Sequence, residues 1–189
     1  MLKIILSSKL GTFLLVAFAY GLLHFLNDLL TEFLYLVPGA HLFHIPSGLK
    51  FLFVLIAGWV GALGVGAATF VASVLYKFPD HWILGAELAL INGIAPLLVR
   101  KLFIENLGLK DDLSNIHTKQ IILMGLLFVF LNSSLNQLIM IWNNISSNFL
   151  DGMLVMLVGD LTGTYFVLSV MKALTRKIID SEAAKQKEL

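Results

Sequence analysis

Acidic and amide side chains interrupt several long apolar runs, and each demands a partner if its run is buried. Asp160 is the plainest case, set in Val158-Gly159-Asp160-Leu161-Thr162-Gly163. A lone carboxylate in such a place must be protonated, paired or wet. It reads as a proton or ligand contact facing a cavity, or as a packing hydrogen bond to Asn132 or Asn136. Asn132 and Asn136 are four residues apart, as are Ser133 and Gln137, so they share a broad polar helix face. Amides in lipid seek partners on neighbouring helices, and such a face serves as glue, as a binding wall, or as both. Glu87 and Asn92 form a third set, with Pro96 one turn beyond. Proline there frees a backbone carbonyl and can kink the helix to line a cavity. Glu87 lies near a helix end and can snorkel outward.

His24, Asn27 and Asp28 follow the i, i+3, i+4 spacing of one helix face. With His41 or His44 they suggest a pH-sensitive cluster or a metal site. A metal site needs three or four convergent ligands, and no metal site is expected here. Catalytic motifs are missing: there is no GxSxG, HExxH or Walker A pattern. The GxGD pattern of intramembrane aspartyl proteases would need glycine at Leu157. It would also need two carboxylates sharing a proton, whereas Asp28 and Asp160 fall at different expected depths. Cysteine is absent, which removes disulfides and thiol chemistry.

The elements that must position these residues follow from composition. Of 189 residues, 58% are hydrophobic and 13% charged, with mean hydropathy +0.89. A soluble domain carries roughly 25% charged residues. The balance excludes a soluble enzyme, a disordered chain and a nucleic-acid-binding domain. The net charge of +1 implies no strong electrostatic partner. A membrane helix needs ~20 apolar residues, and such runs are predicted over 10–30, 82–103, 119–142 and 149–174. The run 48–76 is too long for one span and is broken by Gly58, Gly61, Gly64 and Gly66. It is read as two short helices, 48–60 and 63–76, in a hairpin. Residues 31–47, with Pro38, His41, His44 and Pro46, are an interfacial connection. Residues 175–189 form a charged, frayed tail after a single membrane domain over 1–174.

Lysine and arginine in the short loops set orientation. With six spans and both termini inside, eleven basic residues fall inside and two, Lys50 and Lys77, outside. A five-span arrangement with the N-terminus outside gives ten against three. Both put the C-terminus inside. Lys3, Leu10–Val16 and Ala17-Phe18-Ala19 look like a cleavable signal, but the apolar pattern continues to Leu30, so an uncleaved first helix is expected.

Several motifs in order resemble the MASE1 family of bacterial membrane sensor domains. They are Ile45-Pro46-Ser47-Gly48-Leu49, the glycine-rich stretch Gly58-Trp59 to Gly66, the span Glu87 to Arg100, and Gly159-Asp160-Leu161-Thr162-Gly163. The resemblance covers about 45–174. It departs in lacking a proline after the Gly-Asp motif and in being shorter than typical members. It implies a stand-alone sensor module signalling through a membrane or cytoplasmic protein partner. The architecture also resembles the S components of energy-coupling-factor vitamin transporters, with Ala57–Ala72 as the docking face.

The expectation is therefore an all-α polytopic membrane bundle of six spans, with five the alternative. It lies in the bacterial inner membrane with both termini cytoplasmic. It is non-enzymatic and has no cofactor. Its partners are the lipid bilayer, another protein and a small-molecule ligand, with no nucleic acid. Asp160, Asn132, Asn136, Asn92 and Glu87 are the candidate ligand-binding residues. Gly58, Gly61, Gly64, Gly66, Gly159 and Gly163 are candidates for helix packing. A transporter component or a structural subunit of a larger complex are the alternative functions.

Overall fold

An apolar run in lipid must satisfy its own backbone, which leaves the helix as its stable form. The computed structural model describes residues 8–31, 35–37 and 40–187, and it is built that way. Helix α1 is Lys9–Thr31. A small antiparallel hairpin follows, with β1 (Tyr35–Val37) paired to β2 (Ala40–His41). Helix α2 is Ile45–Ala72 and runs on through a π-helical turn, Ser73–Lys77. Helices α3 (Trp82–Asn106), α4 (Thr118–Trp142) and α5 (Phe149–Lys187) complete the bundle. Counting α2 with its π turn as one, five helices are long and apolar enough to cross a membrane. Their outer faces carry exposed Leu14, Phe18, Leu22, Ile56, Leu90 and Phe130, a surface suited to lipid. Pro38 and Lys3, which figured in the connection and the charge balance, lie outside the described residues.

The glycine-rich stretch departs from its expected form. Of its four glycines only Gly58 leaves the helix, at φ 56° and ψ −131°. That backbone suits glycine, which lacks a Cβ. The break is thus one residue wide and falls before the expected turn at 61–62. Contacts on either side show its effect. Lys50 meets Asn92, and Leu55 meets Arg100, so residues 45–57 run in the direction of α3. Ala62 lies on Gly93, Gly66 on Ala89 and Ser73 beside Gly85, so residues 59–77 run against it. A Cβ at Gly61 would collide with the Phe53 carbonyl, so the two arms touch beyond the break.

The last helix continues without interruption to Lys187, so the charged segment 175–187 extends the membrane helix.

Two apolar layers cap the ends of the bundle. At the Gly58 end, Phe51, Leu55, Val99, Phe103, Met124 and Phe128 pack together. At the opposite end, Leu84, Leu88, Met140 and Met156 do so. A polar layer lies between them.

Candidate functional site

The polar layer is built around a residue that charge counting places in an outer loop. Lys50 is only 1% exposed. Its burial follows from how α2 begins. The His44 backbone N–H donates to the Gly159 carbonyl at 3.2 Å, and the Ile45 N–H to Asn27 Oδ1 at 3.0 Å. A Cβ at Gly163 would collide with the His44 carbonyl, and one at Gly48 would come within 2.6 Å of the Gly163 carbonyl. Gly159 and Gly163 therefore receive the chain leading into α2, together with its first turn. They sit ~15–21 Å along α5 from Phe149, at ~1.5 Å per residue, near mid-depth. Helix α2 thus starts inside the bundle, and five residues later Lys50 is at its centre.

From Lys50 the network runs through amides. Its Nζ donates to Asn132 Oδ1 at 3.0 Å and to Asn92 Oδ1. Asn92 Nδ2 donates to Asn136 Oδ1 at 3.0 Å and to the Leu88 carbonyl at 2.8 Å. Asn136 Nδ2 returns to the Asn132 carbonyl at 2.8 Å. Asn132 Nδ2 donates to Asp160 Oδ2 at 2.6 Å, and Ser133 Oγ donates to the same oxygen at 3.4 Å. Asp160 is 5% exposed. Of the five candidate ligand-binding residues, Asp160, Asn132, Asn136 and Asn92 line one cavity of about 70 Å³. Lys50 shares it, with Tyr20 and Thr69 on the α1 and α2 walls.

Glu87 does not join them. Its Oε2 accepts from Asn143 Nδ2 at 2.6 Å at the far end of α3, away from the cavity. Gln137 is also turned away. It bonds Ser146 Oγ at 2.7 Å and the Asn148 carbonyl at 3.0 Å, tying α4 to the start of α5. Pro96 lies buried within α3, which runs through it.

The second polar cluster closes the cavity toward the Lys77 end. Asp28 Oδ2 pairs with His24 Nδ1 at 3.2 Å and with Lys77 Nζ at 3.2 Å, and Asp28 Oδ1 pairs with His41 Nε2 at 3.3 Å. His44 stacks on His41 and meets His24 edge-on. Burial holds the His44 imidazole well below the usual histidine range, helped by nearby His24, Lys77 and Lys50. His24 and Asp28 keep the expected common face, but Asn27 has a different duty. It carries Thr31 and the first N–H of α2. Among the described residues no group of three histidine or acidic side chains is arranged to hold a metal.

Charge counting puts Lys50 and Lys77 at the outer side; Lys50 lies at the centre of the bundle, and Lys77 is half-buried against Asp28 at the end of the π turn. A signal for Lys50 is present in the sequence: ten mostly apolar residues, Phe51 to Val60, follow it directly.

No protein-family model, no curated protein and no solved structure matches this chain.

Proposed function

We propose that the chain is an integral membrane sensor module whose central cavity binds a small polar molecule and whose last helix carries the signal. The observation that carries this reading is that Asp160 lines the cavity and belongs to the same unbroken helix as residues 175–187. That helix has 39 residues and is ~58 Å long at ~1.5 Å per residue. It outreaches a ~30 Å hydrocarbon core. A ligand that favours one setting of Asp160 shifts that helix as a rod, provided the two settings bind it with different affinity. Backbone without regular structure is tolerated at membrane depth only where protein buries it or where it lines a cavity. The segment 41–45 on Gly159 and Gly163 is of that kind.

In this reading the two arms of α2 cross separately. The short arm, 45–57, needs fewer residues because it begins at depth. Six crossings return both termini to one face. Lys9, which lies over the Trp59 ring at 5.3 Å, and Arg100, which bonds the Leu55 carbonyl at 3.0 Å, mark that face. The basic residues make it the cytoplasmic side of a bacterial inner membrane. The signal then reaches a cytoplasmic partner through 175–187, as the MASE1 resemblance implies.

A second reading, the substrate-binding component of a transporter, is favoured by one surface. A shallow apolar groove between α1, α2 and α3 is floored by Ala62, Gly66, Ala67, Ala86, Ala89 and Gly93. Small residues of this kind let another membrane helix approach closely.

Purification from the native membrane in nanodiscs, with photo-crosslinkers placed at 172–180, separates the two. A kinase or cyclic-dinucleotide enzyme crosslinked to the tail supports the sensor. A membrane coupling subunit with ATPases, and no tail crosslink, replaces it with the transporter.

A further inference from the structure

Lys50 and Asp160 are opposite charges buried in one cavity, yet no direct ion pair joins them among the described residues. The Asn132 amide stands between, its oxygen on Lys50 and its Nδ2 on Asp160. In a low-dielectric interior two such charges gain by closing to contact. Here a side chain of α4 holds them apart. Each also has capacity left over. An ammonium has three donors, and the amides of Asn92 and Asn132 take two from Lys50. A carboxylate has about four acceptor positions; the Asn132 and Ser133 bonds to Asp160 both fall on Oδ2, and the Ser47 hydroxyl beside it adds a third contact, which leaves room for one more donor.

We propose that the cavity takes a small zwitterion with a primary ammonium and a carboxylate, an α-amino acid of the smallest kind. This inference rests on the binding role proposed above for the same cavity. The ligand carboxylate accepts from Lys50 Nζ, and its ammonium donates to Asp160. Both terms of the Asn132 bridge then have a competitor of matching charge. The size limit follows from the space: about 70 Å³ is roughly five to seven times the ~10–15 Å³ that one enclosed water needs on the same measure, room for a molecule of the size of glycine or alanine. The patch of wall formed by Leu88, Met140 and Met156 is apolar, so a ligand side group of one or two carbons faces it. A dicarboxylate would place a second negative charge on Asp160, and a diamine would place a positive one on Lys50. Both are disfavoured by like-charge contact.

The test uses the full chain in nanodiscs and isothermal titration calorimetry, first without any substitution. The probes are glycine and alanine, each beside the amine and the carboxylate that lack one of its charges. The expected result is saturable binding of glycine or alanine, with each singly charged analogue at least about tenfold weaker, the loss of one charge-assisted contact. Lys50→Met and Asp160→Asn are each expected to abolish zwitterion binding. If either variant fails to fold, the comparison among probes on the unchanged chain still decides. Equal binding of alanine and its matched amine or carboxylate overturns the zwitterion. So does binding confined to a neutral polyol or a dicarboxylate that still depends on Lys50, an outcome that leaves the cavity as a binding site. If no probe, polyol or dicarboxylate binds, and both variants only lower the melting temperature, the binding role itself is overturned.

Discussion

Two polar clusters share the core of this bundle, and they treat their charges in opposite ways. Around Asp28, three cationic or basic side chains close directly on one carboxylate, at 3.2–3.3 Å. Around Asp160, the Lys50 ammonium is kept off by an amide. The first cluster is spent on structure. It joins α1, the loop segment at His41 and the π turn of α2. The second cluster has charge and hydrogen-bonding capacity facing a cavity. Asp160 and Lys50 are buried while Asp28 and Lys77 are half-buried, and the way each carboxylate is satisfied separates the clusters further.

The largest expected effect falls on the saturated cluster. Asp28→Ala leaves the half-buried Lys77 without its counter-charge and should cost about 2–4 kcal/mol, between the values for exposed and fully buried pairs. It should show as a large fall in the melting temperature in nanodiscs. A change below about 1 kcal/mol would mean the cluster is wet and surface-like.

A double-mutant cycle sharpens the contrast. Lys77→Met with Asp28→Asn should give a coupling of about 2–3 kcal/mol, whereas Lys50→Met with Asp160→Asn should give about 1 kcal/mol or less. The amide between the central charges lowers their mutual attraction. Equal couplings would erase the distinction.

Acidification should act through His44. Its folded-state affinity for a proton lies well below the ordinary value near 6.5, chiefly because it is buried. The unfolded chain therefore binds the extra proton first, and stability present above pH ~6.5 should fall as pH drops below it, by at most about 1.4 kcal/mol per pH unit for one group. Unfolding followed from pH 8 to pH 5 checks this, and His44→Gln should flatten the curve.

The smallest effect belongs to Glu87. Its contact with Asn143 lies at the end of α3, so Glu87→Gln should change stability by about 0–1 kcal/mol and leave ligand binding intact. A loss of binding would return Glu87 to the site.

Much of the bundle was legible in the chain. Runs such as 119–142 are apolar over most of their length, and in lipid such a run satisfies its backbone as a helix. Asn132 and Asn136 were legible as one face because helical spacing is local. Their partners were not. Asn92 and Lys50 lie 44 and 82 residues away from Asn136 and Asn132, and no local pattern reports that approach. The Gly159–Gly163 pair reads as a close helix approach; it receives the backbone around His44 together with the first turn of α2. Spacing shows that a surface is smooth; it does not show what lands on it.

The sequence by itself determined that the chain is helical, apolar on its outer faces and built to cross a membrane, because those properties sum over local runs. It also determined which polar groups would need partners. The tertiary structure alone decided where α2 begins. That depth depends on two carbonyls seated on two distant glycines, and it carries Lys50 from an outer loop to the centre of the cavity. Composition cannot encode such a placement, because the same lysine is satisfied by water at a surface or by the two amide oxygens of Asn92 and Asn132 inside.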